Sequence, residues 1–193
     1  MKWQTSGSIL AAQLAIEHGW AINLGGGFHH ASQLKAEGFC LLADISLIIK
    51  YLWKYRNPDL KFMIIDLDAH QGNGYAIDKS ILLSKERDQI YIFDLYNKDI
   101  FPNNAFAKLA INEHIEISSD IQDDEYITLL KKNLACAFNE YKPDLIIYNA
   151  GTDVLNGDPL GNMNLTITGV IDRDQIVFEH AKTNNIPIVM LTR

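Results

Sequence analysis

The sequence predicts one α/β domain in three layers, a mostly parallel β-sheet with helices on both faces. Short apolar runs typical of buried strands alternate along the chain with longer segments of helical periodicity. Apolar strands separated by helices are typical of parallel sheets that are covered on both sides. The 193 residues are 48% hydrophobic, which is enough to bury a substantial core within a single domain, residues 1–193.

The predicted elements follow one another in a nearly regular alternation. An amphipathic helix that ends at Asn57-Pro58 precedes a strand with the run Phe62-Met63-Ile64-Ile65. Helices are expected at residues 6–18, 43–56, 74–80, 123–141 and 168–184. Strands are expected at residues 20–24, 61–66, 89–95, 114–118, 144–149 and 187–192. Because right-handed crossovers bring the carboxyl ends of parallel strands to one edge, the loops that follow them should share a rim.

Three of these strand ends release residues that are able to bind a metal. The segments are Gly-Gly-Gly-Phe-His-His at 25–30, Asp-Leu-Asp-Ala-His-Gln-Gly-Asn-Gly at 66–74, and Asn-Ala-Gly-Thr-Asp at 149–153. In an extended chain end, alternate side chains point to the same side, so Asp66, Asp68 and His70 are suited to face one point. Two carboxylates and an imidazole there predict a metal site.

Each segment taken alone has an ordinary structural explanation. Asp68 or Asp153 fits the N-cap of a following helix equally well, His29 and His30 fit a surface pair, and the glycines before them fit a plain turn. Taken together these explanations are weaker, because three strand ends would each have to collect metal-binding residues independently. The combination therefore favours a shared site.

Charge and cysteine content limit the partners. The formal net charge is −7, which offers no electrostatic footprint for nucleic acid or an anionic membrane but is compatible with a basic peptide. Cys40 and Cys136 lie far apart without a Cys-x-x-Cys motif. This pattern is typical of reduced thiols and predicts a cytoplasmic protein, with a nuclear location as the alternative in a eukaryote. No signal peptide or membrane-spanning segment is predicted.

Both ends of the sequence suggest that the domain is incomplete. A helix is predicted almost at residue 1 with no strand before it, and the chain stops at Arg193 directly after its last predicted strand. A core strand without its following loop contributes nothing to the rim. We therefore expect a fragment of a larger domain, incomplete at both ends.

The motifs as a set resemble the histone deacetylase superfamily with its arginase-like α/β fold. The resemblance rests on the three strand-end segments together with Gly38-Phe39-Cys40 and Gly157-Asp158-Pro159-Leu160-Gly161, in order over nearly the whole chain. The variant Gln71-Gly72-Asn73, with Tyr96-Asn97 and Phe101-Pro102, is most similar to class IV members. Together these motifs are specific, whereas each alone is weak.

The resemblance implies a metal centre made of Asp68, His70 and Asp153. Three protein ligands leave an open coordination position, which is typical of catalytic zinc, although Fe(II) or Mn(II) also suits this donor set. Asp66 matches the carboxylate that orients the first histidine and supplies oxygen to a structural monovalent cation. Asp94 is a candidate neighbour of that cation.

The resemblance also implies the remaining catalytic roles. His29 and His30 match a tandem general base and acid, without showing which is which. Asn73 stands where many relatives have an acid behind the second histidine, and an amide cannot stabilise an imidazolium ion by charge. Lining residues of the substrate tunnel are expected at Gly38, Phe39 and Phe101. The tyrosine that donates to the transition state in this family is expected beyond Arg193, so the isolated chain should hydrolyse substrate poorly.

The implied function is zinc-dependent hydrolysis of acyl-lysine amides in peptides or proteins. Class IV resemblance further implies that long fatty acyl groups are preferred to acetyl. Deacetylation of a small amine such as an acetylpolyamine is one alternative, because the same metal centre would support it. A non-catalytic chain that retains the metal for binding or assembly is another.

Overall fold

The computed structural model describes residues 2–82 and 84–192, and it contains one six-stranded sheet flanked by helices. The strands are β1 (Trp20–Asn23), β2 (Phe62–Asp66), β3 (Ile90–Asn97), β4 (Glu113–Ile117), β5 (Leu145–Asn149) and β6 (Ile188–Leu191). Their order across the sheet is β1-β6-β5-β2-β3-β4. Every pair of neighbouring strands is parallel. The predicted α/β class with a parallel sheet is therefore confirmed.

Seven helices occur in the described part of the chain. They are α1 (Lys2–His18), α2 (Asp44–Tyr55), α3 (Asn73–Ser80), α4 (Ser84–Asp88), α5 (Ala105–Lys108), α6 (Asp123–Glu140) and α7 (Ile167–Thr183). Five of them correspond to predicted helices. Four of the five agree to within one residue at each end, and α1 begins four residues before the predicted position 6. The short α4 and α5 were not predicted, because five or four residues are too few to show helical periodicity. Among the described helices, none is long and apolar enough to cross a membrane.

The sheet separates two apolar cores. Met63 and Ile65 of β2 face a core shared with α6 and α7, whereas Phe62 and Ile64 face a core shared with α1 and α2. Successive side chains of a strand point to opposite faces, so a strand covered on both sides must be apolar throughout. This explains why β2 and β5 are buried at every position while the edge strand β1 alternates between exposed and partly buried residues.

The order of the strands brings the predicted loops together. β2 lies directly beside β5, and Asp66 is in register with Asn149 at their carboxyl ends. β1 reaches the same rim through β6, where Asn23 is paired with Leu191. All three strand-end segments therefore share one rim, as predicted.

A buried lysine ties α3 to the loop after α5. Lys79 is 5% exposed, and its Nζ donates to the carbonyl of Ala110 at 2.9 Å and to Asn112 Oδ1 at 2.5 Å. Burial, together with the nearby charge of Arg87, lowers the pKa of Lys79 to about 8. In the unfolded chain the ammonium group keeps its ordinary, higher pKa.

We predict that the contribution of Lys79 to stability changes with pH. From about pH 8 to about pH 10 the unfolded chain binds this proton more often than the folded chain, so the free energy of unfolding rises with pH. Relative to Lys79→Met, the wild-type protein should gain up to about 2 kcal/mol over that range. Denaturant unfolding of both proteins at several pH values measures this difference. Lys85→Met, which alters an exposed lysine, is the matched control, and a constant difference for Lys79→Met would contradict the prediction.

Candidate active site

The loops after β2 and β5 meet at the centre of the rim. Asn149 at the end of β5 donates from Nδ2 to Asp66 Oδ1 at 2.9 Å, which locks the two strand ends together. Gly151 continues from β5 so close to Asp68 that a Cβ at this position would lie 2.2 Å from Asp68 Oδ2. Only glycine permits this approach, so the two loops place their acidic side chains in one small volume.

Asp68, His70 and Asp153 converge as predicted. His70 Nδ1 lies 2.7 Å from Asp153 Oδ2 and 3.2 Å from Asp68 Oδ1, and one donor atom from each of the three residues lies within 4.8 Å of the others. The Asp68 side chain is 4% exposed, whereas His70 and Asp153 keep 15% and 20%. One side of the cluster is therefore buried in the protein, and the other side is open to solvent.

The charges of this cluster suit a divalent cation. Burial opposes protonation of His70, but hydrogen bonds to Asp153 and Asp68 outweigh it and raise the pKa of His70 to about 9. Burial raises the pKa of Asp153. Burial also favours a higher pKa for Asp68, but the charge of His29 and the hydrogen bond from His70 outweigh it, so the pKa of Asp68 is lowered. A divalent cation among these groups would neutralise the carboxylates in place of a proton. One nitrogen and two carboxylates are a donor set that fits zinc.

His29 is held by the carboxylate of Asp66. His29 Nδ1 lies 2.8 Å from Asp66 Oδ2, and Asp66 also accepts from Tyr75 Oη at 2.9 Å. Because an ionised carboxylate only accepts hydrogen bonds, this contact assigns the proton of His29 to Nδ1. His29 Nε2, which then carries the lone pair, lies 3.5 Å from Asp68 Oδ1. Asp66 therefore sets both the tautomer and the orientation of the ring.

His30 is held by Asn73, the residue expected behind it, and Asn73 is held in turn by a relay through Glu37 and Lys35 that was not expected. His30 Nδ1 lies 2.8 Å from Asn73 Oδ1, and Asn73 Nδ2 donates to Glu37 Oε2 at 3.1 Å. Glu37 Oε1 is in turn paired with Lys35 at 2.5 Å. The carboxylate of Glu37 accepts only, so it orients the Asn73 amide with its oxygen toward His30. The relay therefore places the proton of His30 on Nδ1 as well.

A buried aspartate organises the backbone before the histidine pair. Asp44 is fully buried and accepts from the amides of Gly27 at 2.9 Å and Phe28 at 2.8 Å, and from Ser8 Oγ at 2.7 Å. Burial raises the pKa of Asp44 although these donors act against it. Asp44 thereby fixes the loop from which His29 and His30 project. This role of Asp44 was not predicted from the sequence, because Asp44 looks like an ordinary residue at the start of a helix.

A cavity of about 300 Å³ opens onto the cluster. Its walls include the three predicted tunnel residues, Gly38, Phe39 and Phe101, together with Leu160. A Cβ on Gly38, whose φ is +52°, would lie 2.2 Å from His30 Cδ2, so glycine is required for the close approach of this wall to the histidine. Phe101 packs edge-on against His30 with ring centroids 5.0 Å apart. The cavity thus has aromatic walls and the polar cluster at its base.

Asp94 adds a second acidic group behind the site. It is fully buried at the end of β3, where its Oδ2 accepts from the Gly72 amide at 2.9 Å. Its other oxygen, Oδ1, has no hydrogen-bond partner among the described residues. Burial and the charge of Asp66 raise the pKa of Asp94 well above its usual range. Asp94 therefore lies beside Asp66, the residue near which the family resemblance implies a monovalent cation.

Comparison with known proteins agrees with this geometry. The model of the histone deacetylase domain matches residues 1–193, and the chain therefore belongs to the histone deacetylase family. Histone deacetylase 2 of Arabidopsis thaliana is 47% identical over 189 residues, covering 98% of this chain and 47% of that protein. Human histone deacetylase 1 is 30% identical over 180 residues, covering 89% of this chain and 35% of that protein.

Solved structures show the same fold. A histone deacetylase homologue from Aquifex aeolicus superimposes with a TM-score of 0.81 at 25% identity, covering 98% of this chain and 51% of that one. A homologue complexed with SAHA gives a TM-score of 0.82 with the same identity and coverage. The chain spans about half the length of these relatives or less.

Proposed function

We propose that this chain carries the metal centre and the proton-transfer groups of a zinc-dependent deacylase of class IV type. The observation that carries the proposal is the position of the Asp68–His70–Asp153 cluster beside two histidines whose Nδ1 atoms are both fixed by acceptors. All of these groups lie at the base of one cavity. A metal-binding chain without catalysis would have no need of two oriented imidazoles.

Different residues of the site would carry out different steps of amide hydrolysis. Zinc bound to the three ligands would polarise the amide carbonyl and make a water molecule acidic enough to act as a nucleophile. Each histidine presents Nε2 as the atom that can take up or deliver a proton, one for the attacking water and one for the departing lysine amine. Asp66 places a negative charge beside His29, whereas Asn73 places none beside His30. The pair is thus electrostatically unequal, as two opposite proton transfers require.

The walls of the cavity support an acyl-lysine substrate. Phe39, Phe101 and Leu160 present apolar surface toward the cluster, which suits the methylene stem of lysine and an aliphatic acyl chain. A potassium or sodium ion near Asp66 is proposed as a structural cofactor. The buried Asp94 Oδ1, which lacks a hydrogen-bond partner among residues 2–82 and 84–192, supports it. The protein partner is an acylated peptide or protein, without direct contact to nucleic acid.

The metal assignment predicts which variants lose zinc. In the full-length protein, Asp68→Ala and Asp153→Ala should each abolish stoichiometric zinc binding, because each removes one of only three protein ligands. Chelation should lower the melting temperature of the wild-type protein, since zinc binds the folded chain. Elemental analysis and thermal denaturation measure the two effects. Asp158→Ala is the matched control, because Asp158 lines the same cavity outside the cluster. Stoichiometric zinc in either ligand variant would mean that the site is wrong.

The relay behind His30 predicts a change in pH dependence. The double variant Asn73→Asp/Glu37→Gln places a carboxylate against His30. This new carboxylate can accept a hydrogen bond from the amide introduced at position 37, where the wild type has a carboxylate. The added charge favours protonated His30, so the acidic limb of the pH profile of kcat/KM should move to higher pH. Glu37→Gln alone is the reference for the double variant, because it separates the loss of the Glu37 charge from the gain of a charge at position 73. An unmoved limb in the double variant would argue that His30 does not titrate in the rate-limiting step.

Substrate profiling tests the proposed activity directly. For the full-length enzyme, kcat/KM should rise from acetyl- to octanoyl- to myristoyl-lysine peptides, because each methylene buried in an apolar tunnel contributes about 0.8 kcal/mol at most. A preference for acetyl-lysine would refute the class IV assignment, and a preference for an acetylpolyamine would support the small-amine alternative. His29→Ala with zinc retained is the control for background hydrolysis. A zinc-loaded wild type no faster than this control would indicate a non-catalytic chain.

A further inference from the structure

The largest side chain that is fully buried in the described part of the chain is a charged one. Arg173 lies on α7 with no exposed surface. A buried charge is costly unless it is paired and hydrogen-bonded, and a buried ion pair is on balance a weak source of stability. Arg173 therefore calls for an explanation other than the packing of α7.

The contacts of Arg173 lead to the metal-binding loops. Its Nη1 donates to the carbonyl of Leu67 at 3.0 Å and to the carbonyl of Gly151 at 2.7 Å. Leu67 immediately precedes Asp68, and Gly151 lies two residues before Asp153. A single nitrogen thus joins the two loops that supply all three residues of the metal cluster.

The other side of the guanidinium is also fixed. Nε and Nη2 both lie 2.9 Å from Asp174 Oδ1, and Tyr148 Oη donates to the same oxygen at 2.5 Å. Tyr148 belongs to β5, the strand that leads into Gly151. The guanidinium is therefore held in one orientation between α7 and the two loops, with little freedom to turn away.

We propose that Arg173 is a positioning residue for the metal centre. Two loops that bring acidic side chains together repel each other, and the bridge through Nη1 holds their backbones at a fixed separation. Metal ligands lose affinity when the groups that orient them are removed. Arg173 orients the ligands through the main chain and not through their side chains. The inference rests on the proposed function in that it takes Asp68, His70 and Asp153 as the ligands.

The bridge predicts a loss of metal affinity when Arg173 is replaced. In the full-length protein, Arg173→Met fills a similar volume but leaves the Leu67 and Gly151 carbonyls without their donor. Zinc affinity should fall about 10- to 100-fold, the usual effect of removing a group that supports metal ligands. Arg173→Lys keeps the charge, but its side chain has a single nitrogen, whereas the guanidinium makes its contacts with three nitrogens. Its affinity should lie between those of Arg173→Met and the wild type.

Competition of the protein with a chromophoric chelator measures zinc affinity, and the visible spectrum of the cobalt-substituted protein reports the geometry of the site. Val177→Ala is the matched control, because Val177 is a fully buried residue of α7 whose truncation weakens packing. The control should keep wild-type affinity and spectrum, whereas Arg173→Met should change both. This contrast separates positioning of the ligands from general loss of stability.

Each outcome decides between the two proposals. If Asp153→Ala loses zinc while folded Arg173→Met binds it as tightly as Val177→Ala, the metal site stands and the role of Arg173 is wrong. If Asp153→Ala keeps zinc, the metal site itself is wrong. Should Arg173→Met fail to fold, Arg173→Lys decides: weaker zinc binding with an altered cobalt spectrum supports positioning, and wild-type values overturn it.

Discussion

The site depends on one constraint, the parallel pairing of β2 with β5 in a register that sets Asp66 opposite Asn149. A shift of one residue would turn the alternating side chains of β2 to the other face of the sheet. The register is secured because β2 and β5 are buried at every position between two different cores. The hydrogen bond from Asn149 to Asp66 then closes the strand ends. Packing of apolar residues thus determines where the polar ones meet.

The rim concentrates buried acidic groups. Asp66, Asp68 and Asp94 are all buried within a few residues of the strand ends. Their charges are offset by backbone amides and by histidine. Burial opposes protonation of His70, but its hydrogen bonds to Asp153 and Asp68 raise its pKa to about 9. Such a cluster is matched to cations, because a divalent ion neutralises more charge than a proton can. The fold therefore gathers three residues, Asp68, His70 and Asp153, that could hold a metal ion.

Much of the fold and of the candidate site could be predicted from the sequence. The six strands lie within about two residues of their predicted bounds, since apolar runs between helical patterns are a strong signal. The metal cluster, the two histidines, Asn73 and the three tunnel residues lie around one cavity or directly behind it. The metal-binding residues, the two histidines and Asn73 were predictable because they lie in compact motifs that follow strands, whereas Gly38, Phe39 and Phe101 were expected from the resemblance to the family. The short helices α4 and α5 carry too few residues for any periodicity, so they were missed.

The sequence by itself determined the class of fold, the rim and the candidate residues of the site, because these depend on short-range patterns of apolar and polar residues. Only the tertiary structure decided which residues support the site. Glu37 reaches Asn73 across 36 positions and Arg173 reaches Leu67 across 106, and no spacing along a chain encodes such contacts. Asp44 in the same way fixes Phe28, 16 positions away, through its burial. Charged residues that lie on helices or loops look solvent-exposed in a sequence, and only packing shows that they are turned inward.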